Sequence, residues 1–254
     1  MGPVTEDLRT SELVARPDGT GFPAAEVAAA VAGDGFARLG AEHFPVDPEG
    51  GDFARFRETW EDLELDGALV DGGCYRYRRY GRLRAVRTAD GISLSALPHA
   101  AFRQDGIPMW RGDERMFAPI RPAALADACL HALVTADLAA ADLVRTSPEW
   151  TVGLHLIRII ALDGETGLPT PEGRHRDGHA FVGMHLLRRE NSAGGVSTVY
   201  RDGRPDVRFT LESPLDSVLV DDTAVWHEVS PIAVRDRAGG RAVRDMLLVD
   251  INPS

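Results

Sequence analysis

No lysine occurs among the 254 residues; all 28 basic side chains are arginine, and alanine and glycine are abundant. That bias has the look of genomic base composition, and no function is read from it. Cysteine is almost as scarce. Cys74 and Cys129 stand far apart without CxxC spacing, which excludes a disulfide framework or zinc knuckle and leaves both as small buried hydrophobes. Positive charge is short as well: 39 acidic against 28 basic groups give a formal net charge of −11 and a pI near 5.2. A nucleic-acid footprint needs a basic patch or stripe, so nucleic acid is excluded as a partner. No apolar run approaches the ~20 residues of a transmembrane helix, and the N-terminus carries no basic-then-apolar signal pattern. The expectation is a cytoplasmic protein with no membrane partner.

A hydrophobic content of 44% is ordinary for a globular chain, and β-barrels of about 200–250 residues are often one domain. We therefore expect a single domain over residues 1–254. Residues 1–22 read as an irregular arm, 23–148 as supporting helices and strands with a lid, and 149–254 as core strands. Pro23 to Ala32 has the pattern of a helix, with Pro in its first turn and Gly33 as its stop. Gly35 to Leu39 alternates as a short strand, and Phe53 to Leu63 places Phe53, Phe56 and Trp60 at helical spacing, as core aromatics. Cys74 to Val86 alternates Tyr75, Tyr77 and Arg79 against Arg76, Arg78 and Tyr80, which predicts a strand pair turning near Gly81. Its arginines have two readings, a solvated sheet face or the border of a pocket. Ser95 to Ile120 holds Gln104, Trp110, Arg115 and Phe117 in an irregular connection long enough to cover a pocket. Leu125 to Val144 reads as an apolar supporting helix with Leu125, Cys129, Leu133 and Ala136 on one stripe and His131 as a surface or capping group.

From Trp150 onward the pattern becomes short strands bounded by turn residues: Val152 to Ala161, Phe181 to Arg188, Val196 to Tyr200, Val207 to Thr210, Asp216 to Asp221 and Arg244 to Ile251. The fold class is mainly β (α+β), with a jelly-roll core around a central cavity and helices outside it.

The run Pro169-Thr170-Pro171-Glu172-Gly173-Arg174-His175-Arg176-Asp177-Gly178 carries the chemistry. In an extended strand, residues i and i+2 project from one face, so His175 and Asp177 present an imidazole and a carboxylate together. His227, after the apolar run Val218-Leu219-Val220, completes two His and one carboxylate, the facial triad that suits a non-haem Fe(II) oxygenase.

With Arg189-Glu190-Asn191, Gly194-Gly195, Ser230-Pro231-Ile232 and Arg244-Asp245 in the same order, the chain from about Trp150 to Asn252 resembles the 2-oxoglutarate/Fe(II) dioxygenases that include bacterial free L-isoleucine hydroxylases. The resemblance implies a double-stranded β-helix (cupin-like) core, the metal ligands His175, Asp177 and His227, and the use of Fe(II), 2-oxoglutarate and O2. It implies an arginine for the distal carboxylate of 2-oxoglutarate, because a guanidinium fork pairs bidentately with a carboxylate. Arg244 matches the family position and shares a strand face with Met246 and Leu248; Arg241 is the runner-up. Pocket residues are expected at His155, Arg76, Arg78, Gln104, Arg115 and Trp226, with His155 equally readable as a satisfied core histidine. The implied reaction is hydroxylation, or another oxidation, of an unactivated C–H in a free amino acid or small amino-acid-derived metabolite, with 2-oxoglutarate going to succinate and CO2. Related halogenases have Ala or Gly where Asp177 stands. Two other readings remain: tailoring of a larger natural product such as a cyclic dipeptide, and a cupin-like metal or ligand binder without turnover. The protein is expected as monomer or homodimer.

Overall fold

Alternation along three long strands sorts their side chains between two different surroundings, helices on one face and a polar cavity on the other. The computed structural model describes residues 21–69, 71–89, 91–104 and 114–254; the expected arm through residue 20 and Trp110 lie outside them. The N-terminal part runs α1 (Ala24–Asp34), β1 (Phe36–Leu39), α2 (Gly51–Arg57), β2 (Glu64–Leu65), β3 (Arg76–Thr88), β4 (Gly91–Ala96), β5 (Phe102–Arg103) and β6 (Glu114–Arg115). Next come α3 (Pro122–Leu125), α4 (Ala128–Val144), β7 (Glu149–Ala161), β8 (Phe181–Glu190), β9 (Ser192–Gly194), β10 (Val196–Tyr200) and β11 (Val207–Thr210). The chain ends in β12 (Ser217–Asp221), β13 (Trp226–Val229), β14 (Ile232–Val234) and β15 (Ala242–Pro253).

Among the described residues, the strands β1-β12-β8-β15-β7-β3-β2 form one antiparallel sheet in that order, with β4 paired to β3. A smaller sheet, β11-β10-β13, faces it, which is the two-sheet arrangement of a jelly roll. Val152, Leu154 and Leu156 of β7 and Leu247, Val249 and Ile251 of β15 point to one side, where Leu130, Leu133 and Leu138 of α4 and Val27 and Val31 of α1 cover them. Between the sheets, Val182, Leu186, Val218, Val220 and Met246 meet Val199, Val207 and Phe209. The remaining residues of the central strands, of opposite parity, are free to build a site.

Several sequence expectations are corrected. The first helix ends at Gly35, not Gly33: Gly35 adopts φ 82°, its N–H donates to the Val31 carbonyl, and a Cβ there would run into Val225. β3 is one continuous strand through Gly81, not a pair turning there. Gly81 is there for closeness, since a Cβ would lie 2.9 Å from Leu125 Cδ2 and 3.1 Å from Ile120 Cδ1. The solvated reading fails for Arg76, Arg78 and Arg79, which are all buried, and holds for Arg84, which is exposed. Phe53, Phe56 and Trp60 are core residues as expected, though α2 tightens into a 3-10 turn over Glu58–Asp62. The Leu125 to Val144 helix is interrupted, with Asp127 capping α4 through the Cys129 N–H and His131 bonded to the Leu125 carbonyl. Cys129 is buried but Cys74 is exposed.

One polar link ties α4 to the sheet. His185 on β8 contacts Asp137 Oδ2 at 2.9 Å and Ser217 Oγ at 2.8 Å, all three fully buried. Gly183 makes room for that carboxylate, because a Cβ would collide with it. Removing one member of a buried polar pair typically costs about 3–5 kcal/mol. Asp137→Ala is accordingly expected to lower unfolding stability by about that amount in urea titrations, whereas a change within ~0.5 kcal/mol, ordinary for surface sites, would show that the pair contributes nothing.

Candidate active site

The cavity between the sheets is lined by the inward residues of β3 (Arg76, Arg78), β7 (His155, Ile157, Ile159) and β15 (Arg244, Met246, Leu248, Asp250), closed by Glu172, His175, Asp177 and His227. Ligand-capable atoms of His175, Asp177 and His227 all lie within 4.8 Å of one another. His175 Nε2 is 3.4 Å from Asp177 Oδ1, and His227 Nε2 is 3.2 Å from Asp177 Oδ2. The two rings sit with centroids 4.5 Å apart.

His175 and Asp177 are not on a regular strand, as the sequence suggested, but on the loop joining β7 to β8. The loop is held extended from outside. His175 and His227 exchange two backbone hydrogen bonds, N–H to carbonyl at 3.0 Å each way, so the loop borrows β13 as its partner strand. Thr170 Oγ1 donates to the Val229 carbonyl and accepts from the Val229 N–H. Asp222, 1% exposed, accepts the backbone N–H groups of Asp177 (3.0 Å), Gly178 (2.7 Å) and His179 (3.0 Å), and lies 3.9 Å from His227 Nδ1. Sequence reasoning passed over Asp222; its only signal was a second acid directly after Asp221, at the end of an apolar run.

The donor set fits a divalent metal. The His175 Nδ1–H can donate to the Gly173 carbonyl at 2.8 Å, which leaves the Nε2 lone pair facing Asp177. Burial opposes charge on His175, but the hydrogen bond and charge of Asp177, with Glu172 beside it, outweigh burial and raise its pKa to about 9. Asp177 is held far below the usual carboxylate range, its desolvation overcome by both imidazoles. A metal would take the place of that shared proton. Gln104 also steadies the carboxylate, its Nε2 donating at 3.2 Å to Asp177 Oδ1, while Arg115 Nη2 donates to Gln104 Oε1.

Arg244, 4% exposed, lines the same cavity with its Nε unbonded and no carboxylate paired to it among the described residues. Burial, with Arg189 nearby, pushes its pKa down to about 10, so it stays charged and lacks only an anion. Arg76 is different: its Nε and Nη2 both reach Asp66 Oδ2 at 2.7 Å. Arg78 reaches that oxygen only at 3.8 Å, its guanidinium stacked 4.7 Å over Phe117 and its Nε unbonded. Burial and the neighbouring Arg76 push Arg78 down to about 9. His155 bonds Asp250 Oδ2 at 2.9 Å, and burial keeps it neutral with a pKa near 4. It is at once a satisfied histidine and part of the cavity wall.

Three expected site residues do not line the cavity. Arg241 is exposed before β15 begins. Trp226 points outward by strand alternation, 37% exposed, with Arg176 and Arg174 4.8 and 5.6 Å over its ring. Arg115 is buried behind Gln104, against Phe102 and Phe117.

Known proteins resemble this chain in sequence and in fold. The chain is 29% identical over 143 residues to an L-isoleucine-4-hydroxylase of Bacillus thuringiensis, an alignment that spans 54% of this chain and only 58% of that enzyme. The crystal structure of a bsmA homolog from Methylobium petroleophilum superposes with a TM-score of 0.79 at 29% identity, covering 92% of this chain and 95% of that one. The structure of IDO from Bacillus thuringiensis superposes at 0.73 over 91% of this chain and 99% of that one, with 20% identity, a likeness of fold. The sequence model of the 2OG-Fe dioxygenases matches residues 57–250, which contain every residue of the cavity. This chain belongs to the 2OG-Fe dioxygenase family, non-haem enzymes that use Fe(II), 2-oxoglutarate and O2.

Proposed function

We propose that the chain, working as one domain, hydroxylates or otherwise oxidises an unactivated C–H of a free amino acid or a small amino-acid-derived metabolite. The observation that carries this reading is Arg244, a buried guanidinium without a counter-ion among the described residues, in the cavity that His175, Asp177 and His227 also line. A protein that only bound a metal would gain nothing from burying that charge, whereas a dicarboxylate cosubstrate supplies its partner. The relative named for L-isoleucine makes that amino acid the first to test.

In this reading His175, Asp177 and His227 hold Fe(II), which when bound supplies the O2 chemistry coupled to conversion of 2-oxoglutarate into succinate and CO2. Arg244 orients 2-oxoglutarate through its distal carboxylate. Gln104 and Asp222 keep Asp177 in position, one at the carboxylate and the other at the backbone. Arg78, with a free Nε, takes the substrate carboxylate, while Arg76 is neutralised by Asp66. Ile157, Met184, Val229, Met246 and Leu248 form an apolar wall for the substrate side chain. Regioselectivity then comes from positioning the reacting carbon near the metal.

Anaerobic addition of Fe(II) and 2-oxoglutarate should give a weak visible charge-transfer band at one iron per chain. His175→Ala and His227→Ala should abolish both; retention of band and stoichiometry would remove these residues from the metal site. Arg244→Ala should raise the KM for 2-oxoglutarate by a few orders of magnitude, since breaking a buried pair costs about 3–5 kcal/mol. Lys at 244 should rescue part of the loss, and Arg241→Ala should be close to silent; the reverse pattern would reassign the anchor. Asp222→Ala should weaken iron binding about 10–100-fold in competition titrations, the range typical of groups that orient metal ligands, and unchanged affinity would reduce Asp222 to a structural bond.

A further inference from the structure

The charges lining the cavity can be paired off, and after pairing one anion is left over. Arg76 belongs to Asp66, and Asp250 lies between His155 at 2.9 Å and His179 at 3.2 Å. Arg244 and Asp177 are taken by the cosubstrate and the metal in the reading above, and Arg78 by a substrate carboxylate. Glu172 remains. Its side chain is 9% exposed and faces the cavity, its Oε2 is buried without a hydrogen bond, and its Oε1 faces His175 Nε2 at 3.4 Å. When that nitrogen binds a metal it has no proton to donate, so Oε1 also loses its donor. A desolvated carboxylate with neither oxygen bonded is costly unless a cation with N–H donors reaches it.

We infer that Glu172 is the acceptor for the α-ammonium group of the substrate, so that the enzyme selects free amino acids over N-acylated or amine-free carboxylic acids. The inference rests on the amino-acid reading of the site. A zwitterion matches the two remaining charges of the cavity, with Arg78 for its carboxylate and Glu172 for its ammonium. An ammonium beside Glu172 and His175 brings the α-carbon to the metal side of the cavity, and the side chain is left to the apolar wall. An N-acyl group removes the positive charge and adds bulk at the same carboxylate, so it is rejected on both counts. A desamino acid leaves Glu172 buried and unpaired, and sites built to bond a polar group reject analogues that lack it.

The test is anaerobic calorimetry on the protein loaded with Fe(II) and 2-oxoglutarate. The ligands are L-valine, L-leucine and L-isoleucine, each with its N-acetyl and desamino counterparts. The expected result is that the tightest-binding amino acid exceeds both counterparts by about 100-fold or more, as for loss of one partner of a buried ion pair. In Glu172→Gln that preference should collapse to within about tenfold, with Glu172→Asp recovering part of it. Equal wild-type affinity for amino and desamino forms overturns the inference, as does an equal loss for all forms in Glu172→Gln. Loss of iron from Glu172→Gln also overturns it, by making Glu172 a metal ligand. Should Glu172→Gln not fold, the wild-type ranking decides alone. If the wild type binds none of these compounds, the inference fails, and the charge-transfer band of the same sample reports separately whether the iron and 2-oxoglutarate reading stands.

Discussion

Two backbone hydrogen bonds between His175 and His227 hold the site together. They are made by the main chain, so they fix where both imidazoles start before any metal contributes. One partner lies on a loop with no strand of its own and the other on β13, the edge of the smaller sheet. Without that exchange the loop would carry two unsatisfied amide groups at the cavity rim, and the imidazoles would have no common frame. Thr170 and Asp222 fasten the loop on either side by the same means, side chains satisfying main-chain groups. His175, Asp177 and His227 are thus positioned by backbone on the outside and by Gln104 from within.

The second constraint is charge in a dry place. Four of the arginines near the cavity, Arg76, Arg78, Arg115 and Arg244, are at most 8% exposed. Burying guanidinium groups without function is expensive, and the chain limits the expense by pairing Arg76 with Asp66 and resting Arg78 and Arg115 on aromatic faces. Among the described residues this leaves chiefly Arg244 without a carboxylate partner, and the proposed anion site rests on it. The outer side follows the same economy: Arg158 bridges Asp245 and Glu61 on the helix-facing surface of the sheet, away from the chemistry.

Much of this was legible in the residues. Short strand-like runs bounded by turn residues located β7, β8, β10, β11, β12 and β15 to within a few residues, because strands buried on both faces, such as β7, β12 and β15, read as apolar runs cut by turns. Parity put Arg244 with Met246 and Leu248 on what proved to be the cavity face. The His-x-Asp and the distant His, common enough by themselves, stood out through the ordered motifs around them.

Tertiary structure decided the rest, for reasons that no local pattern carries. Burial of Arg76 and Arg78 depends on what covers β3, and an alternating Arg/Tyr strand reads the same in water or under a lid. Gly81 looks like a turn in sequence, yet it is a contact point for Ile120 and Leu125, forty residues away. Trp226 was drawn to the site by its neighbour His227, but adjacent strand residues face opposite ways, and one faces solvent. Asp222 has no side-chain motif at all, since its role is to bond amides that lie 43 to 45 positions upstream. Residue type and spacing determined the core strands and the candidate trio His175, Asp177 and His227; which charges were left unpaired depended on which distant groups came to lie beside them.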